Sequence, residues 1–319
     1  MDTSSHAHAP FWGAQTSYLK LVYHLPFLFL SRHANQISPP AFVKKYASLT
    51  HPWIASFPFT DTSDYAITRY IAEFINTLSS ITFILYGCYG LFYTRQRTNA
   101  RSPVLLYYGL IGIGVCSGGY HMTLKYHTQM SDELSMHLLT TPLVYRLLTF
   151  NATPEKTRLV GIILTILFTV VMVTHMVMDE FLLHATTFAL AIYVIVTRSR
   201  RIIPQQCPDP KVRKSIQNVS TFGLVCFAAG YSVWLVDQYV CNVLIDTRRS
   251  VGLPLAFLLE LHGWWHVLTA IGGYVAVATV DLITSGELVL KDPSDQLAWP
   301  VPLAARLMSG KTRAIKEHK

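Results

Sequence analysis

The sequence predicts an all-α membrane protein: a bundle of seven transmembrane helices with the N-terminus lumenal, on the non-cytosolic side, and the C-terminus cytosolic. Three observations carry this reading. Of the 319 residues, 51% are hydrophobic and only 14% are charged. Apolar runs close to the ~20 residues needed to cross a hydrocarbon core of about 30 Å recur along the chain. The basic residues collect in alternate short connections between those runs, as the positive-inside rule requires.

The spans fall at about residues 71–93, 104–122, 133–150, 159–178, 180–197, 218–241 and 258–284. The third is the weakest, since Pro142 and Arg146 interrupt it. Proline is tolerated there when neighbouring groups satisfy the freed carbonyl. Spans four and five are separated by little more than Met178-Asp179-Glu180 and predict a tight antiparallel pair. Segments after spans one, three, five and seven hold seventeen Lys and Arg, against three after spans two, four and six. That asymmetry sets the orientation. The sequons Asn151-Ala-Thr153 and Asn218-Val-Ser220 then lie on the cytosolic side and should carry no sugar.

A net charge of +8 would suit a nucleic-acid binder. Here its place in the loops explains it without a nucleic-acid partner. Cys88, Cys116, Cys207, Cys226 and Cys241 lie mostly in apolar stretches with no Cys-x-x-Cys spacing, which argues against a thiolate metal site and a disulfide-rich module. In the N-terminal segment, Leu25-Pro26-Phe27-Leu28-Phe29-Leu30 is too short to span and reads as an irregular surface stretch. No internal repeat appears. The division is an N-terminal segment (1–69), a seven-helix membrane domain (70–285) and a basic cytosolic tail (286–319).

Within this frame the histidines stand out. Ionisable groups in a bilayer are costly unless partnered, and are functional candidates by default. His262 and His266 stand one helical turn apart near the start of span seven, so both imidazoles share a face. His121 ends span two and Asp132 begins span three. Seven alternating crossings bring all four to the same, non-cytosolic, membrane face. Three neutral imidazoles plus a water describe a catalytic zinc site, though each histidine alone reads as a buried, hydrogen-bonded residue. Ser117 lies one turn before His121 on the same face, and taken alone reads as a helix-packing serine. Trp264 and Trp265 read as interfacial anchors. His127 and His137 stay outside the ligand set because nothing in the sequence pairs with them.

The chain resembles the alkaline ceramidase family of seven-helix membrane zinc hydrolases, nearest a fungal phytoceramidase-like member. The resemblance rests on Phe11-Trp12-Gly13 with Thr16-Ser17, and on Tyr70-Ile71-Ala72-Glu73-Phe74-Ile75-Asn76-Thr77-Leu78-Ser79. It continues through Ser117-x-x-x-His121-Met-Thr-Leu-Lys-Tyr and Asp132-Glu133 to His262-Gly-Trp-Trp-His266. It implies a zinc ion held by His121, His262 and His266 with Ser117 and Asp132 as catalytic residues. It also implies hydrolysis of the amide of ceramide or phytoceramide, a membrane lipid substrate, and a place in the endoplasmic reticulum or Golgi. The family's acidic calcium loop is altered here. Only Asp64 and Glu73 offer calcium oxygens at matching positions, a poor cage for an ion that takes six to eight. The cysteine that the family's loop pairs with the position of Cys241 is absent. Residues about 19–63 read either as a retained intron or mis-joined exon, or as a genuine insertion with calcium control lost. Two other functions stay open: a weak or inactive sphingolipid receptor on the same scaffold, and a transporter, against which the lack of duplicated halves counts.

Overall fold

The computed structural model describes residues 67–97, 104–178 and 181–309. Seven long helices follow one another in the described residues: α1 (Phe74–Arg97), α2 (Val104–Thr123), α3 (Tyr126–Leu148), α4 (Pro154–Met178), α5 (Phe181–Gln206), α6 (Pro210–Val251) and α7 (Leu261–Ile283). Each overlaps one of the seven predicted spans. Among the described residues α1, α4, α5, α6 and α7 are long and apolar enough to cross a membrane, the pattern of an integral membrane protein. Helices α2 and α3 fall short of that measure. The end of α2 is polar around Ser117 and His121, and α3 opens on Thr128, Gln129, Asp132 and Glu133. Helix α3 therefore starts well before the apolar run that marked its span.

Local chemistry sets the helix ends. The α2–α3 corner turns through Leu124 at φ 49°, after which the Thr128 hydroxyl accepts the Lys125 N–H at 3.2 Å. Asn151, at φ 55°, takes the left-handed turn between α3 and α4, a conformation asparagine tolerates, and Pro154 opens α4. Asp209 caps α6 by accepting the Lys211 N–H at 2.9 Å, with Pro210 as the first helical residue. Pro142 sits inside an unbroken α3. Arg146, in its last turn, donates to the Thr284 hydroxyl at 2.8 Å and its carbonyl at 3.3 Å, just past the end of α7. Its charge is thus placed at the far end of the bundle from the α7 histidines.

Helix α7 is the axis of the bundle: 72% of its apolar window is buried, against 17% for α4 and 11% for α5. It packs on α1 and α6, while α1 also lies along α2. Small residues allow a close crossing of α6 and α7. A Cβ on Gly272 would stand 2.9 Å from the Gly223 carbonyl oxygen, and one on Gly223 would stand 2.5 Å from Val275 Cγ1. Such contact between backbones is how helices associate where lipid removes the hydrophobic drive between them. On the outside, α4 turns Ile162, Ile166, Val170 and Val173 outward, an apolar surface that needs a hydrocarbon solvent. The segment after α7 folds back through a short helix, α8 (Val301–Met308). Tyr86 and Tyr89 of α1 donate to the Trp299 and Gln296 carbonyls at 2.9 and 3.0 Å, and Val301 and Ala305 are buried.

A three-histidine centre where α1, α2 and α7 meet

His121 stands in the last turn of α2, and His262 and His266 in the first two turns of α7. The three rings meet at centroid separations of 4.9 Å (His121–His262), 4.8 Å (His121–His266) and 4.7 Å (His262–His266). One nitrogen from each lies within 4.8 Å of the others. His121 and His266 are buried, and His262 is partly so. The side chains expected from sequence to converge do converge. Close backbone approach makes room for this: a Cβ on Gly263 would stand 3.0 Å from Ile75 of α1.

The neighbours decide which nitrogen each ring presents. The chain before α1 runs alongside the end of α2, with Glu73 N–H donating to the His121 carbonyl at 2.9 Å and Ala72 N–H to that of Met122 at 3.1 Å. This pairing delivers the buried Glu73 carboxylate to His121, whose Nδ1 donates to Oε2. Asn76 Nδ2 donates to the same oxygen at 3.0 Å. Nε2 of His121 is then the lone-pair nitrogen, and it is buried with no hydrogen-bond partner. On α7, His266 Nδ1 donates to the Asn76 carbonyl at 3.2 Å beside Ser79 Oγ at 2.8 Å, so Nε2 again faces the centre.

This donor set fits a divalent metal. Two imidazoles turn lone pairs to one point, their far nitrogens held by a carboxylate and a carbonyl, the outer partners that metal-bound histidines have. The orphaned Nε2 of His121 is the deciding observation, because a buried acceptor left unsatisfied costs about 1–3 kcal/mol. Bonds of about 2 Å would draw all three nitrogens onto one ion.

Ser117 is buried one turn before His121, its hydroxyl 3.0 Å from Ser80 Oγ and 3.4 Å from His266 Nε2. Asp132, in the second turn of α3, lies near Ser117 and His121. Both candidate catalytic residues thus border the histidines. Of the two candidate calcium ligands, Asp64 lies outside the described residues. Glu73 is engaged by His121 and Asn76 and belongs to no oxygen-rich group among the described residues. Trp264 is exposed and donates to the Leu258 carbonyl at 3.1 Å, consistent with an interfacial anchor. Trp265 instead packs inward, its ring 6.0 to 6.4 Å from those of Phe227, Tyr231 and Trp234 on α6. None of the five cysteines is joined in a disulfide.

Comparison with known proteins agrees with the geometry. The profile of the Ceramidase family matches residues 62–307, taking in every long helix and all three histidines. The chain belongs to the ceramidase family. It is similar to the alkaline ceramidase YPC1 of Saccharomyces cerevisiae, at 31% identity over 234 residues, covering 68% of this chain and 73% of the yeast protein. Alkaline ceramidase 3 of Mus musculus is 26% identical over 226 residues, covering 69% and 82% of the two chains. The alkaline ceramidase of Caenorhabditis elegans is 24% identical over 224 residues, covering 69% and 77%. The family resemblance read from the motifs therefore holds, and with it the enzyme class, an alkaline ceramidase.

Proposed function

We propose that this ceramidase is a zinc-dependent amidase that cleaves ceramide or phytoceramide to a sphingoid base and a free fatty acid. The observation that carries the proposal is the meeting of three imidazoles from α2 and α7 around a buried, unpartnered nitrogen. His121, His262 and His266 would hold the metal. The chemistry conferred by loading such a triad with zinc is Lewis acidity, which lowers the pKa of water from about 16 toward about 7 and polarises a carbonyl. Glu73, through Oε2, keeps the proton of His121 on Nδ1, and the Asn76 carbonyl does the same for His266.

Asp132 is the proton carrier: its carboxylate takes the proton of the attacking water and passes it to the departing amide nitrogen. Water adds to the carbonyl carbon, the C–N bond breaks, and the products are the amine and the acid. Ser117 Oγ–H donates to the carbonyl oxygen as negative charge develops there. The half-buried aromatic wall of Phe227, Tyr231, Trp234 and Trp265 beside the α7 histidines offers an apolar surface for an acyl or sphingoid chain. We assign seven crossings, with the histidine centre at the non-cytosolic face and the C-terminus cytosolic, in the endoplasmic reticulum or Golgi. The loop charges support that orientation.

The test is release of free sphingoid base from ceramide and phytoceramide by purified protein, before and after chelation and zinc restoration. Loss on chelation with recovery on zinc is expected. Release that persists in metal-free protein overturns the mechanism, and binding without release indicates a lipid sensor.

A further inference from the structure

A second cluster of metal-ligating side chains lies apart from the three-histidine centre and shares no residue with it. Glu133 and His137 stand one turn apart on α3, His175 in the last turn of α4, and His184 in the first turn of α5. One ligand atom each from Glu133, His175 and His184 lies within 4.8 Å of the others. The His175 and His184 rings are 5.1 Å apart, and the His137 ring is 5.0 Å from that of His184. All three imidazoles are buried, at 2, 3 and 5% exposure for His175, His184 and His137. Glu133 is nearly so: its Oε2 meets His175 Nε2 and its Oε1 accepts Gln129 Nε2 at 3.0 Å.

Hydrogen bonding within the cluster does not account for it. His137 Nε2 and His184 Nδ1 are both buried without a partner. A buried nitrogen left without a partner is destabilising, and two in adjoining rings point to a common occupant. Three neutral imidazoles and one carboxylate carry a single negative charge, which a divalent cation offsets. Three nitrogens and one oxygen also make up the donor number of a closed tetrahedral site, and imidazole selects the zinc class of metals.

We propose that Glu133, His137, His175 and His184 form a second, structural site for a divalent metal of the zinc class, joining α3, α4 and α5. The need is physical: α4 and α5 bury little of their apolar windows, so few protein contacts hold them. A metal tie at their shared end fixes them to α3. Asp132 and Glu133, adjacent on α3, then serve two different centres, since consecutive helical residues point about 100° apart.

The experiment is zinc stoichiometry of the full-length protein in detergent, loaded with zinc and passed over a chelating resin. Wild type, His184→Gln, His266→Ala and the double variant are compared. With one ion per site, about two equivalents are expected in wild type, about one in each single variant and none in the double variant. His184→Gln that folds and keeps the wild-type content overturns the second site. If that variant does not fold, His266→Ala decides: background zinc there means water fills the pocket, and also overturns the proposal. Failure of the three-histidine centre looks different, because His266→Ala would then keep the full wild-type content while His184→Gln lost an equivalent.

Discussion

Replacing Glu73 with glutamine is the sharpest perturbation of the three-histidine centre that leaves its ligands in place. In the folded protein Glu73 Oε2 accepts from His121 Nδ1 and from Asn76 Nδ2. Glutamine keeps the shape and one acceptor but removes the charge. A hydrogen bond to a charged group contributes about 1.5–3 kcal/mol, against about 0.5–1.5 for a neutral one. Loss of such an outer partner lowers metal affinity about 10- to 100-fold, or about 1.4–2.8 kcal/mol, so the two routes agree. Glu73→Gln should therefore weaken zinc binding in a chelator competition by that factor and lower turnover at limiting zinc. Excess zinc should restore turnover. Glu73→Ala should be worse, because it strands two buried donors at about 1–3 kcal/mol each and lowers the yield of folded protein. Wild-type zinc affinity in Glu73→Gln would refute the orienting role, and a turnover defect that no zinc concentration repairs would place Glu73 in some other step.

Other consequences are open to direct measurement. Ser117→Ala should lower kcat about 10²- to 10³-fold, as loss of one oxyanion donor does, with zinc content unchanged; loss of zinc in that variant would instead make the serine part of the metal site's frame. Gly272→Ala places a methyl 2.9 Å from the Gly223 carbonyl oxygen and 3.0 Å from Phe227 Cβ. It should destabilise the α6–α7 crossing by about 1–3 kcal/mol, read as a lowered unfolding temperature in detergent. Asn218 is buried against the end of α8, its Nδ2 3.4 Å from the Met308 carbonyl, and is closed to glycosylation in the folded state whatever the topology. Asn151 is exposed at its turn, so only the assigned cytosolic side keeps it free of sugar; an unshifted band after endoglycosidase treatment is expected, and sugar on Asn151 would reverse the assigned orientation.

Hydropathy made every long helix legible, but not its length. Helix α6 runs from Pro210 to Val251 where the apolar run covers 218–241, because a helix continues through polar residues once its core is packed and its start capped by Asp209. His121, His262 and His266 were legible from one-turn spacing and from counting crossings, since parity alone brings the ends of distant helices to one face. The role of Glu73 was not. From sequence its carboxylate is a candidate calcium ligand, and the backbone pairing of Glu73 with His121 adds an imidazole partner that position alone does not reveal. His137 has no partner near it in the sequence. Its neighbour, His184, lies beyond a further pair of crossings, and His175 is equally remote. The same parity argument reaches them, because span four ends and span five begins at the face that holds Glu133. Side-chain direction on α4 and α5 is what the sequence could not supply.

The most direct measurement is zinc-edge anomalous diffraction from crystals of the lipid-reconstituted protein. The three-histidine zinc site requires a peak about 2.0–2.1 Å from one nitrogen each of His121, His262 and His266. Three ordered imidazoles with no peak between them, in zinc-replete protein that still releases sphingoid base, would contradict it.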